Sequence, residues 1–462
     1  MMFSSNWRPF VLIAGETCLL IGAVAVASYV RLGSDIWRVL QDENGLWKAL
    51  LIVGVCQLSL YYADLYDLRG LNSVRDLTAR LIEALGVTSL ILAAIYFVAP
   101  DWIVGRGVFL ISVLLMVTLI VAWRMAFAWL TQRVAPRERL LLVGTSAAAV
   151  DLARELFDRR QELGVEIVGF VDPDPARIGT PVLNPAIVGA IDDIPLLVSK
   201  LNVDRVVVSL ADARGKLPMG RLLDIRLDSG VAFDHLASVY EEYTGKIAVE
   251  NLRPSWLIFS EGFRKTRLLL SAKRVLDVVF SAAGLLLGAP IMLLVAVAVR
   301  STSRGPILYQ QQRVGWHGRE FTVQKFRTMR EDAESATGPV WSTANDTRLT
   351  LIGAFLRRTR LDEMPQLWNV LVGDMSFVGP RPERPEFVRE LTERIPFYGQ
   401  RHVLKPGLTG WAQVRYTYGA SVEDAIEKLQ YDLYYIKNLS IALDFVIVLE
   451  TIKTVITRKG AR

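Results

Sequence analysis

Apolar residues are gathered into blocks along this chain. Four runs open it, at residues 10–30, 46–62, 81–98 and 108–130. Each approaches the ~20 residues that a membrane-spanning helix needs. A basic start and a strand follow, Arg139-Leu140-Leu141-Leu142-Val143 with a turn at Gly144. A helical stretch at 147–160 comes next, then a strand at 166–171 closed by Asp172-Pro173, and a further strand at 205–210. Strand–helix–strand alternation predicts a parallel α/β sheet. A fifth apolar block spans 275–299 and is interrupted only by Asp277. The last block, 441–457, ends in Arg458-Lys459 and reads as an interfacial helix or an ordinary core helix.

Charge orients the membrane part. No small-residue cleavage site follows the first run, so a retained helix is expected. The loop after the second run carries Arg69, Arg75 and Arg80, and the segment after the fourth carries Arg133, Arg137 and Arg139. The loop after the first run balances Arg31, Arg38 and Lys48 against Asp35, Asp42 and Glu43. The positive-inside rule puts the N-terminus and everything after Leu130 in the cytoplasm. Glu16, inside the first run, is either a polar contact within a helix bundle or a tolerated charge near an interface. The 275–299 block is flanked by Lys273 and Arg274 before it, and by Arg300 and Arg304 after it. Both flanks favour the cytoplasmic side. Pro290 near its middle removes a helix hydrogen bond. A re-entrant helix broken at Pro290 satisfies both observations, and a Pro-kinked spanning helix is the alternative.

Composition narrows the chemistry. Of 462 residues, 52% are hydrophobic, which suits a membrane part joined to soluble parts. Cys18 and Cys56 both lie in apolar runs, so no disulfide framework or zinc site is expected. Three histidines, His235, His317 and His402, are too few for a histidine metal centre. The net charge of +6 suits an anionic partner. In the α/β region, Gly144-Thr145-Ser146-Ala147 keeps only the first of the three glycines of a dinucleotide fingerprint. A structural or regulatory domain is therefore expected there, with Asp172 as a turn residue or a ribose ligand.

The C-terminal region carries the sharper signals. Between 300 and 330, seven arginines and lysines face one acid, Glu320. Lys325-Phe326-Arg327 alternates along an apparent strand, so both cations would point the same way. Pro365 suits a first helical turn, which puts Asp362 and Glu363 at a helix N-terminus beside Arg357, Arg358 and Arg360. Asp362 could serve there only as a cap. Adjacent carboxylates on a helix face different ways and suit different tasks. One could attack phosphorus while the other holds Mg²⁺. Pro380-Arg381-Pro382 is a stiff loop that would pre-place a guanidinium for a diphosphate.

These residues resemble the bacterial sugar transferase family, the monotopic polyprenyl-phosphate phosphoglycosyl transferases. The similarity runs through Lys273-Arg274, Asp277, Pro290, Gly305-Pro306, Tyr309-Gln310-Gln311-Gln312-Arg313, and the stretches 325–329, 361–367, 369–381 and 406–411. It covers nearly all of 271–462. The stretch 411–435 resembles transferases of exopolysaccharide gene clusters in exosortase-type bacteria. The resemblance implies that Asp362 is a nucleophile on the β-phosphorus of a UDP-sugar, releasing UMP. Undecaprenyl phosphate would then collect the phosphosugar, and Glu363 would ligate magnesium. Lys325, Arg327, Arg357, Arg381, Asp432 and Arg415 would bind substrate. Arg360 stands where the family commonly has serine, Met364 where it has leucine, and Arg415-Tyr416 replaces a usual Asn-Gly or Ser-Gly.

The expected architecture is thus a four-helix transmembrane bundle (1–132), a Rossmann-like α/β middle domain (137–262), the re-entrant helix (271–300) and an α/β catalytic domain (301–462). The expected location is the bacterial inner membrane, with membrane lipids as neighbours and the catalytic domain on the cytoplasmic face. A homodimer through the middle domain is compatible with this, and no nucleic-acid partner is expected. Two competing functions are a membrane-bound nucleotide-sugar epimerase or dehydratase and an inactive assembly scaffold. The first needs the missing glycines. The intact Asp362-Glu363 pair and 325–329 stretch oppose the second.

Overall fold

A computed structural model describes residues 7–33, 44–63, 65–66, 74–103, 106–133, 137–209, 219–249, 260, 262–330, 348–416, 419 and 421–457. Asp35, Arg38, Asp42, Glu43, Arg69, Leu210, Arg458 and Lys459 lie outside these. The chain divides into two compact units, 1–234 and 235–462.

In the first unit the apolar runs fold as α1 (Trp7–Leu32), α2 (Gly45–Tyr62), α3 (Val74–Val98) and α4 (Arg106–Arg133). Each contains a segment long and apolar enough to cross a membrane. Leu20, Cys56, Leu60, Leu81, Leu92 and Ile120 share one core drawn from all four helices. Phe10, Tyr29, Leu90, Phe97, Leu110 and Leu114 stand exposed on the outside. So much outward apolar surface marks a membrane protein. Glu16 is a polar contact within the packed helices. It is fully buried and pairs with Arg124 Nε at 2.6 Å. The same guanidinium donates to the Leu65 carbonyl and lies 5.4 Å from the centre of the Tyr66 ring. Each charge offsets the burial cost of the other.

The α/β region forms five strands, β1 (Glu138–Val143), β2 (Val165–Asp172), β3 (Ile187–Ala190), β4 (Arg205–Val208) and β5 (Ala232–His235), in the order β3-β2-β1-β4-β5. The β1–β2, β1–β4 and β2–β3 pairs are parallel, as alternation predicts. Gly144 turns the chain at φ 99°, and Ser146 caps α5 (Ala147–Asp158). Asp172 Oδ2 accepts from Thr145 Oγ1 and from Arg177 Nη1, both at 2.7 Å. Asp172 is thus a turn-binding residue in this structure, with its carboxylate already engaged.

The second unit opens with α8 (Leu236–Thr244), following α6 (Ile194–Lys200) and α7 (Met219–Ser229) of the first. The middle domain was expected to run to 262, but α8 belongs with the C-terminal residues. Asn438 Nδ2 donates to Glu241 Oε1 at 2.9 Å, Trp411 Nε1 donates to the Gly245 carbonyl at 2.8 Å, and Lys246 pairs with Glu427 at 2.6 Å. These partners are close to two hundred positions away, so no local pattern announces them.

The fifth apolar block lies in α9 (Arg267–Thr302), one helix of 36 residues with Pro290 inside it. The expected break is corrected here. Proline removes one N–H and crowds the Leu286 carbonyl, but the leucine- and alanine-rich flanks carry the helix through. Both halves of α9 grip the same domain. At the start, Lys273 pairs with Asp444 at 2.6 Å, and Arg274 donates to the Val370 and Leu371 carbonyls, each at 2.7 Å. Asp277 Oδ1 accepts from Ser376 Oγ at 3.1 Å and from the Phe377 amide at 2.8 Å. Towards its end, Val295 and Val299 pack against Phe326 and Leu356. Between these anchors Leu286, Leu287, Leu293 and Leu294 are exposed.

The domain gripped by α9 is built on an antiparallel hairpin, β6 (Leu308–Val314) and β7 (Glu320–Phe326). After it come α10 (Leu351–Thr359), α11 (Gln366–Val372), β8 (Ser376–Val378), α12 (Pro385–Arg394), β9 (Gly407–Thr409), α13 (Trp411–Arg415), α14 (Val422–Lys437) and α15 (Ile441–Thr457). α15 resolves the question of the tail on both sides. Leu443 and Ile447 are buried against Tyr435 and Leu433, while Phe445, Val446, Ile452 and Val455 face outward. Gly373 at φ 101° ends α11, where any side chain would be strained. Asn369 fastens α11 to β7. Its Nδ2 donates to the Thr322 carbonyl at 2.8 Å, and its Oδ1 accepts from the Gln324 amide at 3.2 Å. Asn369→Ala leaves two partly buried backbone groups unpaired and should cost about 1–3 kcal/mol. A thermal melt of the purified protein measures it. An unchanged midpoint would contradict this fastening.

Candidate active site

Chain direction sets the site. α10 ends at Arg360, whose φ of 58° is the left-handed conformation that a non-glycine residue rarely adopts. That reversal starts a short 3₁₀ turn, Leu361–Glu363, just before α11. Asp362 and Glu363 therefore sit in their own turn, one step ahead of the helix that Pro365 was expected to open.

Glu363 is clamped by cations. Its Oε1 accepts from Lys325 Nζ and from Arg381 Nη2, both at 3.0 Å, and Arg360 Nη1 stands 3.9 Å from Oε2. Burial raises the carboxyl pKa, but Lys325, Arg381 and Arg360 outweigh it and hold the group well below the usual range. Asp362 behaves oppositely. Burial, and then the charge of Glu363, push it up to about 6, against the pull of Lys325, Arg357 and Arg360. It is only 6% exposed, and its Oδ1 has no hydrogen-bond partner among the described residues. Two neighbouring carboxyls with pKa values driven apart mark a site where the two groups do different work.

The other expected residues divide into those that reach this pair and those that support it. Lys325 and Arg381 touch Glu363. Arg357 acts on Asp362 by charge, and its Nε donates to Thr328 Oγ1 at 3.1 Å. Arg327 parts company with Lys325, because β7 ends at Phe326 and strand alternation stops there. Its Nη2 donates to Ser303 Oγ at 2.7 Å, while Nε and Nη1 are buried without partners among the described residues. Arg415 lies 4.4 Å from the centre of the Trp411 ring. Asp432 is buried against Arg401 at 2.8 Å. Lys273 and Arg274 anchor α9. The Pro380 carbonyl accepts from the Gly407 amide at 2.9 Å, and the Pro382 carbonyl from Arg313 Nη1 at 3.1 Å. Arg401 and Arg124 were not singled out from sequence, and Asn369 only as the start of the 369–381 stretch. Arg401 and Arg124 pair with acids 31 and 108 positions away and sit in no local motif.

The fold and site define a membrane-associated α/β protein whose cationic side chains gather around two adjacent carboxyls, Asp362 buried and Glu363 half-buried, an arrangement that suits a phosphate-bearing ligand. Comparison with known proteins agrees. The Bacterial sugar transferase family model matches residues 268–458, and a CoA-binding domain model matches residues 62–231. A UDP-N-acetylgalactosamine-undecaprenyl-phosphate N-acetylgalactosaminephosphotransferase of Aeromonas hydrophila is 39% identical over 228 residues, 49% of this chain and 53% of that protein. A UDP-glucose:undecaprenyl-phosphate glucose-1-phosphate transferase of Xanthomonas campestris pv. campestris is 40% identical over 222 residues, 48% of this chain and 45% of that protein. One of the same description from Escherichia coli (strain K12) is 32% identical over 339 residues, 70% of this chain and 69% of that protein. The chain belongs to the bacterial sugar transferase family. Its matches span about half the length of the Aeromonas and Xanthomonas relatives.

Lys325→Met removes one cation from Glu363 and should lower turnover by roughly 10²-fold, the scale seen when a preorganised charge is lost. Retention of full turnover would contradict the clamp. His402 supplies a pH test. Burial, then the charge of Arg401, push it down to about 4. The unfolded chain binds this proton near the ordinary histidine value of ~6.5 and the folded one does not. His402 should therefore take stability away as pH drops from 6.5 towards 4, opposite in sign to the raised Asp362 and Asp432, and the wild type should lose stability relative to His402→Asn across that range. An identical slope in melts of the two proteins would refute the assignment.

Proposed function

We propose that this protein transfers a sugar 1-phosphate from a UDP-sugar to undecaprenyl phosphate, giving undecaprenyl diphosphate-sugar and UMP and starting the synthesis of an exopolysaccharide or related glycoconjugate. The observation that carries this reading is the divided carboxyl pair, Glu363 kept ionised by three cations and Asp362 buried beside it. The relatives' names supply the donor and acceptor classes.

In the first step an Asp362 carboxylate oxygen attacks the β-phosphorus of the donor. The bond from that phosphorus to the oxygen bridging it to the α-phosphorus breaks, and UMP leaves with the electron pair. In the second step an oxygen of undecaprenyl phosphate attacks the same phosphorus and Asp362 departs as carboxylate. One difficult transfer thereby becomes two easier ones. Arg357, Lys325 and Arg381 lower the cost of bringing a diphosphate up to a carboxylate. A carboxylate such as Glu363, whose Oε2 lies 3.9 Å from Arg360 Nη1, is a hard oxygen donor that fits Mg²⁺, which takes few protein ligands and fills its shell with phosphate oxygens and water. Glu363 would hold it, leaving Asp362 to attack, and when bound it would neutralise diphosphate charge.

The membrane arrangement follows the same logic. α1 to α4 are read as a transmembrane bundle with cytoplasmic termini, in the inner membrane. α9 is read as one unbroken helix set into the cytoplasmic leaflet without crossing the bilayer. Its start and its end both bind the 321–378 region, which a helix emerging on opposite faces of a bilayer could not do with one domain. Its exposed leucines then dip into lipid from the cytoplasmic side, where soluble donor and lipid acceptor meet.

Asp362→Asn should reduce UMP release from UDP-sugars, assayed with undecaprenyl phosphate and magnesium, by on the order of 10³-fold or more. A variant that turns over normally would overturn the assignment of the nucleophile.

A further inference from the structure

The loop 379–383 carries Arg381 to Glu363, and it is held in an unusual way. Pro380 and Pro382 have no N–H to donate. Four consecutive carbonyls are pinned instead, each by a donor from elsewhere in the unit. The Pro380 carbonyl accepts from the Gly407 amide at 2.9 Å, and the Glu383 carbonyl from the Val314 amide at 2.9 Å. The Pro382 carbonyl accepts from Arg313 at 3.1 Å, and the Arg381 carbonyl from Arg401 Nη2 at 3.0 Å. Arg401 is itself fixed on three sides. Its Nε and Nη2 meet Asp432 Oδ2 at 3.1 and 2.8 Å, and its Nη1 donates to the Tyr398 hydroxyl at 2.7 Å. Arg401 is 5% exposed, and Asp432 and Tyr398 are 2% exposed each.

We infer that Arg401, locked by Asp432 and Tyr398, is a positioning residue that sets the Arg381 guanidinium against Glu363. This deepens the function proposed above and rests on it. It also gives Asp432 a different task from the substrate contact expected of it. Asp432 acts on the site from behind, through Arg401 and the Arg381 backbone. A guanidinium is needed because its planar fork reaches a carboxylate, a hydroxyl and a carbonyl at once. Lysine would keep the charge that Asp432 requires, and so avoid stranding a buried ion, but it cannot make all three contacts.

Two measurements on the full-length protein in detergent or nanodiscs test this. The first is amide hydrogen exchange of peptides covering 376–384. Arg401→Lys should speed exchange there by about tenfold, the worth of one lost hydrogen bond, and leave 320–326 unchanged. The second is a double-mutant cycle on the kcat of UMP release. Arg401→Lys should cost about 10- to 100-fold in the wild-type background and less than about 3-fold in an Arg381→Ala background, because its effect passes through Arg381. Asp432→Asn should follow the same pattern with little change in the KM for UDP-sugar. Arg394→Lys, a change at a surface ion pair with Glu390, serves as the control for variant handling. Should Arg401→Lys fail to fold, Tyr398→Phe removes a single partner of Arg401 and should show the same coupling at smaller size. Unchanged exchange at 376–384 would overturn the inference. So would costs that multiply fully in the Arg381→Ala background, or a raised KM as the main effect of Asp432→Asn. If the wild type released no UMP from any UDP-sugar, the proposed function would fall, and the exchange arm alone would still decide the positioning claim.

Discussion

A half-buried carboxylate, Glu363, held closely by two cations with a third nearby, organises this molecule's C-terminal unit. Lys325 comes from the end of a hairpin strand, Arg381 from a proline-stiffened loop, and Glu363 from a 3₁₀ turn between two helices. Their contacts at 3.0 Å bring three separate parts of the chain to one point. Burial, and then the charge of the ionised Glu363, keep Asp362 from ionising easily. Asp362 becomes a carboxyl of raised basicity in a cationic surround, the condition a nucleophile on a diphosphate needs. Much of the surrounding fold can be understood as holding these parts still. Asn369 ties α11 to β7, Arg274 satisfies the last carbonyls of α11, and the Arg381 loop is fixed by its own carbonyls.

The same unit carries apolar outward surface, which the proposed membrane arrangement sets beside lipid. α9 exposes a row of leucines yet carries Lys273, Arg274 and Asp277 near its start, all three paired with the domain. Those polar contacts set its rotation and depth against the domain, because an unpaired charge in an apolar setting would cost several kcal/mol. α15 adds a second apolar outward face. Both helices therefore have one side packed against protein and one apolar side that faces outward.

Much of this was legible in the sequence. Long apolar runs announced the helices, because roughly twenty apolar residues in a row have few other uses. Alternation of strand and helix announced the parallel sheet. Asp362-Glu363 and Pro380-Arg381-Pro382 could be read because the chemistry is packed into adjacent positions. What stayed hidden depends on contacts distant in sequence. Asp432 read as a site residue, but its partner Arg401 lies 31 positions away, in a short turn with no motif of its own. The pairing of Glu16 with Arg124 crosses 108 positions. The attachment of α8 to the C-terminal unit depends on Glu241, Gly245 and Lys246 meeting residues near 411–438. Pro290 suggested a broken helix because local rules weigh one missing hydrogen bond heavily, whereas the flanking helix formers and the packing at both ends outweigh it. Arg327 was expected to follow Lys325, since alternation predicts direction only while a strand lasts.

The most direct measurement is peptide mapping of the protein after incubation with a UDP-sugar radiolabelled in the β-phosphate, magnesium present and undecaprenyl phosphate withheld. The account predicts a phosphosugar adduct on the peptide containing Asp362, lost when undecaprenyl phosphate is added. No labelled peptide at that position from enzyme that forms product once undecaprenyl phosphate is supplied, or label on a different residue, would contradict it.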